Sequence, residues 1–126
     1  MGYKNLLLID DDTDDQEIFL EALKEISHSV HCLVQSAAQE ALKKLISKEI
    51  HPDVIFLDLN MPIMNGHQFL TEIKKISDLK NIPVIMFSTT SHTHTIQISK
   101  ELGAHDFITK PSNFDKLVNI LKPLID

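Results

Sequence analysis

The chain has 126 residues, 18 acidic and 12 basic side chains, and a formal net charge of −6. Its 43% hydrophobic and 24% charged residues describe an ordinary globular chain, neither disordered nor fibrous, long enough for one domain that buries roughly 65–70% of its unfolded surface. All twelve basic residues are lysines, which excludes the guanidinium forks of nucleic-acid readers, and the lone Cys32 excludes an internal disulfide or a Cys-rich metal site.

The excess charge has an address. Asp10, Asp11, Asp12, Asp14, Asp15 and Glu17 put six carboxylates into eight positions, as many as the whole net charge. The apolar run before them, Leu6 to Ile9, is too short for a signal-peptide core or a membrane span. A cytoplasmic single domain over 1–126, with neither nucleic acid nor membrane as partner, is expected.

Leu6-Leu7-Leu8-Ile9 reads as a strand buried on both faces. Ile18, Phe19, Ala22, Leu23 and Ile26 then recur at helical spacing, behind Thr13 and Gln16 as a capping box. His31 to Val34 is a second strand, with Cys32 a small buried hydrophobe, and its helix carries Ala38, Ala41, Leu42 and Leu45 behind the pair Ser36 and Gln39. Val54 to Leu57 is the third strand. A turn-rich link from Asn60 to Gly66 leads into a helix using Phe69, Leu70, Ile73 and Ile76, with His67 a surface residue at its start. Pro83 opens the fourth strand, Val84 to Phe87. The helix after it, 91–102, is built from mediocre helix formers and closed by Gly103. Phe107 to Thr109 is a fifth strand. The last helix, 112–125, has Ser112 and Asp115 as its box and Phe114, Leu117, Val118 and Leu121 turned inward.

Five strand–helix units without hairpin signals predict an α/β fold, a doubly wound five-stranded parallel sheet covered on both faces. Ligands of such sheets bind beyond the carboxyl ends of the strands. There the sequence places Asp10-Asp11-Asp12, Asp58, Ser88-Thr89 and Lys110-Pro111. Crowded carboxylates raise one another's pKa or need a cation, and a few carboxylates completed by water suit Mg2+ better than Ca2+. Asp58, between that cation and the pair Lys110 and Ser88, is placed to hold a phosphoryl group as an aspartyl nucleophile.

These motifs together resemble the receiver domain of two-component response regulators, of the chemotaxis-regulator type. They are Leu7-Leu8-Ile9-Asp10-Asp11, the run Asp53 to Gly66 around Asp58 and Pro62, Ile82 to Ser88, and Gly103 to Pro111. The resemblance covers essentially the whole chain and implies a flavodoxin-like (βα)5 fold with strand order 2-1-3-4-5. It also implies that Asp58 is the phosphoacceptor, and that Asp10, Asp11, Asp58 and the backbone carbonyl of Asn60 hold Mg2+. Ser88 would be the mobile hydroxyl, Lys110 the phosphoryl-pairing ammonium in a cis Lys-Pro bond, and Phe107 the aromatic that turns inward on activation. The donor would be a phosphohistidine on a histidine kinase or phosphotransfer protein. Output would pass through helix 4, strand 5 and helix 5 to an unknown downstream protein, with self-pairing into a homodimer left open. The chain stops with its fifth helix, so no output domain is expected. It would be a signalling protein, not an enzyme beyond its own phosphorylation and dephosphorylation.

Other readings fit less well. A receiver-fold docking module without phosphorylation would not need the intact set Asp10, Asp11, Asp58, Ser88 and Lys110. Asp10-x-Asp12-x-Asp14 with Glu21 imitates a calcium loop, but Asp15 stands where its sharp turn needs glycine. A haloacid-dehalogenase-like phosphatase shares the Asp-x-Asp after a strand, but its later acidic metal motif has no counterpart. His92 and His94, two apart, do not share a helix face and are read as solvent-exposed. Thr89 stands where the receiver family usually has Ala or Gly, which bears on access to Asp58 and on phosphorylation rates. Asp14 and Asp15 receive no role from the resemblance.

Overall fold

A computed structural model describes residues 2–125. Strands and helices alternate throughout: β1 (Asn5–Ile9), α1 (Thr13–Ile26), β2 (His31–Gln35), α2 (Ala38–Ile46), β3 (Val54–Leu57), α3 (Gly66–Ile73), β4 (Val84–Ser88), α4 (Thr93–Glu101), β5 (Asp106–Thr109) and α5 (Phe114–Ile125). All pairings are parallel and the order is β2-β1-β3-β4-β5, the expected flavodoxin-like arrangement.

The two-residue period of the strands divides the core into two layers. Leu7, Ile9, Ile55, Leu57, Val84 and Met86 meet α2 and α3 through Ala38, Ala41, Leu45, Phe69, Leu70 and Ile73. Leu6, Leu8, Val54, Phe56, Ile85 and Phe87 face α1 and α5 through Phe19, Ala22, Leu117 and Leu121. Phe19 packs edge-on to Phe56 and Phe87, with centroids 5.1 and 5.5 Å apart, a geometry that suits the ring quadrupoles. Because β1, β3 and β4 are apolar on both faces, their carboxyl ends are held at one level, and so are the residues that follow them.

Three helix starts differ from the expected boxes. Asp12, not Thr13, caps α1, its carboxylate accepting the Asp15 N–H; a carboxylate at the positive helix end is the stronger acceptor. Gln16 turns away instead, donating to the Asp10 carbonyl and to Ser36 Oγ. With Ser36 so engaged, the N-cap of α2 falls on Ala37, which offers no side-chain cap. At α5, Asn113 rather than Ser112 accepts, taking the Lys116 N–H. One capping box does form, between Asn65 and Gln68 at the start of α3.

The fourth helix is shorter than expected and has no side-chain cap at His92; Ser99 is its one buried residue. Gly103 ends it at φ +105, with Gly103 N–H bonded to Lys100 O and Ala104 N–H to Ser99 O, the paired bonds of a Schellman motif. Phe114, expected to face inward, is 40% exposed, and Ile18, on the apolar spacing of α1, is 46% exposed. They border a 140 Å3 cavity with Pro111 and Leu117, between α1 and the start of α5. His92 and His94 are exposed, as expected.

Candidate functional site

The strand ends gather the expected acids. One carboxylate oxygen from each of Asp10, Asp11 and Asp58 lies within 4.8 Å of the others, a grouping able to hold a metal ion. Backbone bonds fix two of them: Asp10 N–H donates to Gln35 O and Asp58 N–H to Ile9 O, continuing the ladders past the strand ends. Asp10 is 1% exposed and both its oxygens are engaged. Oδ1 accepts the Asp12 N–H at 2.9 Å and Oδ2 accepts from Lys110 Nζ at 2.8 Å. Asp11 stays exposed.

Lys110 enters from the far side of the sheet. Its N–H donates to Ser88 O at 2.7 Å, which locks the ammonium and the Ser88 hydroxyl to one register. Nζ also lies 2.8 Å from Asp15 Oδ2, 3.6 Å from Asp58 Oδ1 and 5.6 Å from the Phe87 ring centre. Burial works against this ammonium, but Asp10 and Asp15 outweigh it and hold its pKa above the usual lysine value. Burial is also the main influence on Asp58, pushing it from 3.8 up to about 6; Lys110 opposes that rise and Asp10 adds to it.

Ser88 Oγ is buried without a hydrogen-bond partner. Such a group is costly unless something completes it. Thr89 beside it is exposed, and Phe107 is half-buried against the α2–α3 layer. The expected cis bond before Pro111 is not found. Every peptide bond among the described residues is trans, and the trans chain already brings Lys110 to the carboxylates.

The loop after Asp58 is tightly folded. Met64 N–H reaches back to Pro62 O across Ile63, which sits at φ +69 and is 86% exposed. A β-branched residue there is strained by about 1–3 kcal/mol. Gly66 N–H donates to Leu59 O, and a Cβ on Gly66 would lie 2.5 Å from the Asp58 carbonyl oxygen. Only glycine lets α3 start this close to the Asp58 backbone.

Two contacts near the site could not be read from the sequence. Asp15 pairs with Lys110, which requires knowing that the first turn of α1 leans over the end of β5. His67 is no free surface residue: its Nε2 lies 2.8 Å from buried Ser99 Oγ, which in turn donates to Thr95 O. Burial lowers the His67 pKa, favouring a neutral ring that donates from Nε2.

The chain belongs to the response regulator receiver domain family, whose family model matches residues 6–122. It is 32% identical over 124 residues to the response regulator Rcp1 of Synechocystis, covering 94% of this chain and 84% of that protein. It is 42% identical over 94 residues to a protein-glutamate methylesterase/protein-glutamine glutaminase of Methanosarcina mazei; there it covers 70% of this chain but spans only 24% of the relative. Among solved structures, the phosphorylated cyanobacterial phytochrome response regulator RcpA superposes with a TM-score of 0.87 at 31% identity, covering 97% of this chain and 91% of that one. The chain is thus a receiver domain of two-component signalling. Among the described residues no helix is long and apolar enough to cross a membrane.

Proposed function

We propose that this receiver is an active phosphoacceptor, with Asp58 as the acceptor and a phosphohistidine of a histidine kinase or phosphotransfer protein as donor. The observation that carries the reading is the buried, unpartnered hydroxyl of Ser88 at the same sheet edge as Asp58 and Lys110. A phosphoryl oxygen would complete that hydroxyl.

In the transfer, an Asp58 carboxylate oxygen bonds to phosphorus as the bond from phosphorus to the donor imidazole nitrogen breaks. Lys110 neutralises charge on the incoming oxygens and Ser88 donates to one of them. The residues fit Mg2+: Asp10, Asp11 and Asp58 supply clustered carboxylate oxygens, and Asn60 would add its backbone carbonyl. Bound there, Mg2+ would offset the remaining negative charge of the acceptor and the phosphoryl group. The exposed Ile18 and Phe114, beside Pro111, give a protein donor an apolar surface next to Lys110.

Output follows from the same contacts. Ser88 moving to the phosphoryl group vacates space that Phe107 can take, which biases the face of α4, β5 and α5 between two packings for a docking protein or a second copy. A helix with one buried residue and no N-terminal side-chain cap suits that role. Apart from its own phosphorylation and dephosphorylation, the chain is read as no enzyme.

Beryllofluoride, a small acyl-phosphate mimic, tests the reading. With Mg2+ it is expected to raise the melting temperature of the wild type and leave Asp58→Asn unchanged. No shift in the wild type, or equal shifts in both, overturns the reading.

A further inference from the structure

We propose that Asp15 is a positioning residue that holds the Lys110 ammonium back from Asp58, leaving Asp58 open to a divalent cation and to the phosphoryl group. The inference rests on the reading of Asp58 as a Mg2+-dependent phosphoacceptor and adds a residue outside the motifs that define it.

An ammonium has three N–H bonds to give. Lys110 gives two at 2.8 Å, to Asp10 Oδ2 and Asp15 Oδ2, and stands 3.6 Å from Asp58 Oδ1, too far for a strong N–H···O bond. Asp10 and Asp58 belong to the trio able to hold a metal ion; Asp15 does not. Without Asp15, the acceptors left within reach of Nζ among the described residues are Asp10 and Asp58. Ammonium and divalent cation, which already share Asp10, would then compete for Asp58 as well. With Asp15 in place, Lys110 has a second charged partner beside Asp10, and Asp58 is left to the cation.

Asp15 is suited to the task by its place in the chain. Its N–H is fixed to Asp12 Oδ1 in the first turn of α1, so its side chain leaves the helix at a set angle toward the end of β5. Its carboxylate is one third exposed, so holding Lys110 demands no rearrangement of the core. Asp14, one residue earlier in the same turn, carries the same charge, is exposed and makes no ion pair among the described residues. It is therefore the natural control.

The experiment titrates the 126-residue chain with Mg2+ by calorimetry. Asp15→Asn should raise the Mg2+ dissociation constant about fivefold, whereas Asp14→Asn should stay within about twofold of wild type. Asp15→Glu should restore most of the loss. In a Lys110→Met background, Asp15→Asn should have little further effect, because no ammonium remains to be held. Equal losses in Asp14→Asn and Asp15→Asn, or an undiminished loss in the Lys110→Met background, would reveal a plain charge effect and overturn the proposal. A wild type that binds Mg2+ and takes a phosphoryl group from acetyl phosphate, with Asp15→Asn unchanged, overturns this inference alone. A wild type that does neither overturns the phosphoacceptor reading as well.

Discussion

Lys110 Nζ and Asp10 Oδ2, one hundred positions apart in the chain, meet at 2.8 Å with side chains 10% and 1% exposed. The two residues follow β5 and β1, which are separated in the sheet by β3 and β4, so one lysine spans the whole acidic edge. A pair this buried is costly to break, because the survivor is left as an uncompensated charge. Lys110→Met should therefore destabilise the metal-free chain by about 3 kcal/mol in urea unfolding, with added Mg2+ returning part of the loss. A loss below about 1 kcal/mol would mean that Asp10 does not depend on its partner.

The raised pKa of Asp58 gives a pH signature. Folding favours the protonated form, since the value is about 6 in the folded chain against an ordinary 3.8. Between those values the folded state binds more protons than the unfolded one. Stability contributed by Asp58 is therefore full below about pH 4, falls as pH rises toward about 6, and is lost above it, a change of up to about 3 kcal/mol. The difference in metal-free stability between wild type and Asp58→Asn, followed against pH, should show this fall. Stabilisation by Mg2+ should run the other way, growing as pH rises through 6. A difference that does not vary with pH would contradict the burial of Asp58.

Gly66→Ala should lower stability by about 2 kcal/mol or more. The new methyl would stand 2.5 Å from the Asp58 carbonyl oxygen and 2.9 Å from Leu59 Cα, both backbone atoms that cannot step aside. The shift would be transmitted to the Asp58 loop, so the Mg2+ affinity of the variant should fall with its melting temperature. An unchanged melting temperature would show that the loop yields freely.

Ser99→Ala should loosen α4 without loosening the sheet. It removes the partner of His67 Nε2 at the one buried position of the helix and should cost about 1 kcal/mol. Amide exchange should speed up across Thr93–Glu101 and stay slow in β1, β3 and β4. Uniform exchange rates in α4 of both proteins would mean that the His67 contact does not hold the helix.

The strands were legible because four of them are short apolar runs ended by polar or proline residues, a pattern that needs no tertiary knowledge. Asp10, Asp11, Asp58, Ser88 and Lys110 were legible for the same reason: each sits at or just beyond a strand end, and the parallel sheet brings those ends to one edge. Side-chain choices among neighbours were not legible. Thr13 and Asp12 are both good caps, and only the fold shows that Gln16 is drawn off by Asp10 and Ser36. Asp15 and His67 meet Lys110 and Ser99, far along the chain, only because the fold brings their helices there. Periodicity gives a residue its helix face but not how far its neighbours cover it, and Ile18 and Phe114 stand exposed.

The most direct test of Asp58 as the acceptor is intact mass after incubation with Mg2+ and acetyl phosphate. The wild type should gain the mass of one phosphoryl group and lose it on chelation-free standing, while Asp58→Asn should gain none. Equal labelling of the two, or none in the wild type, would contradict the account.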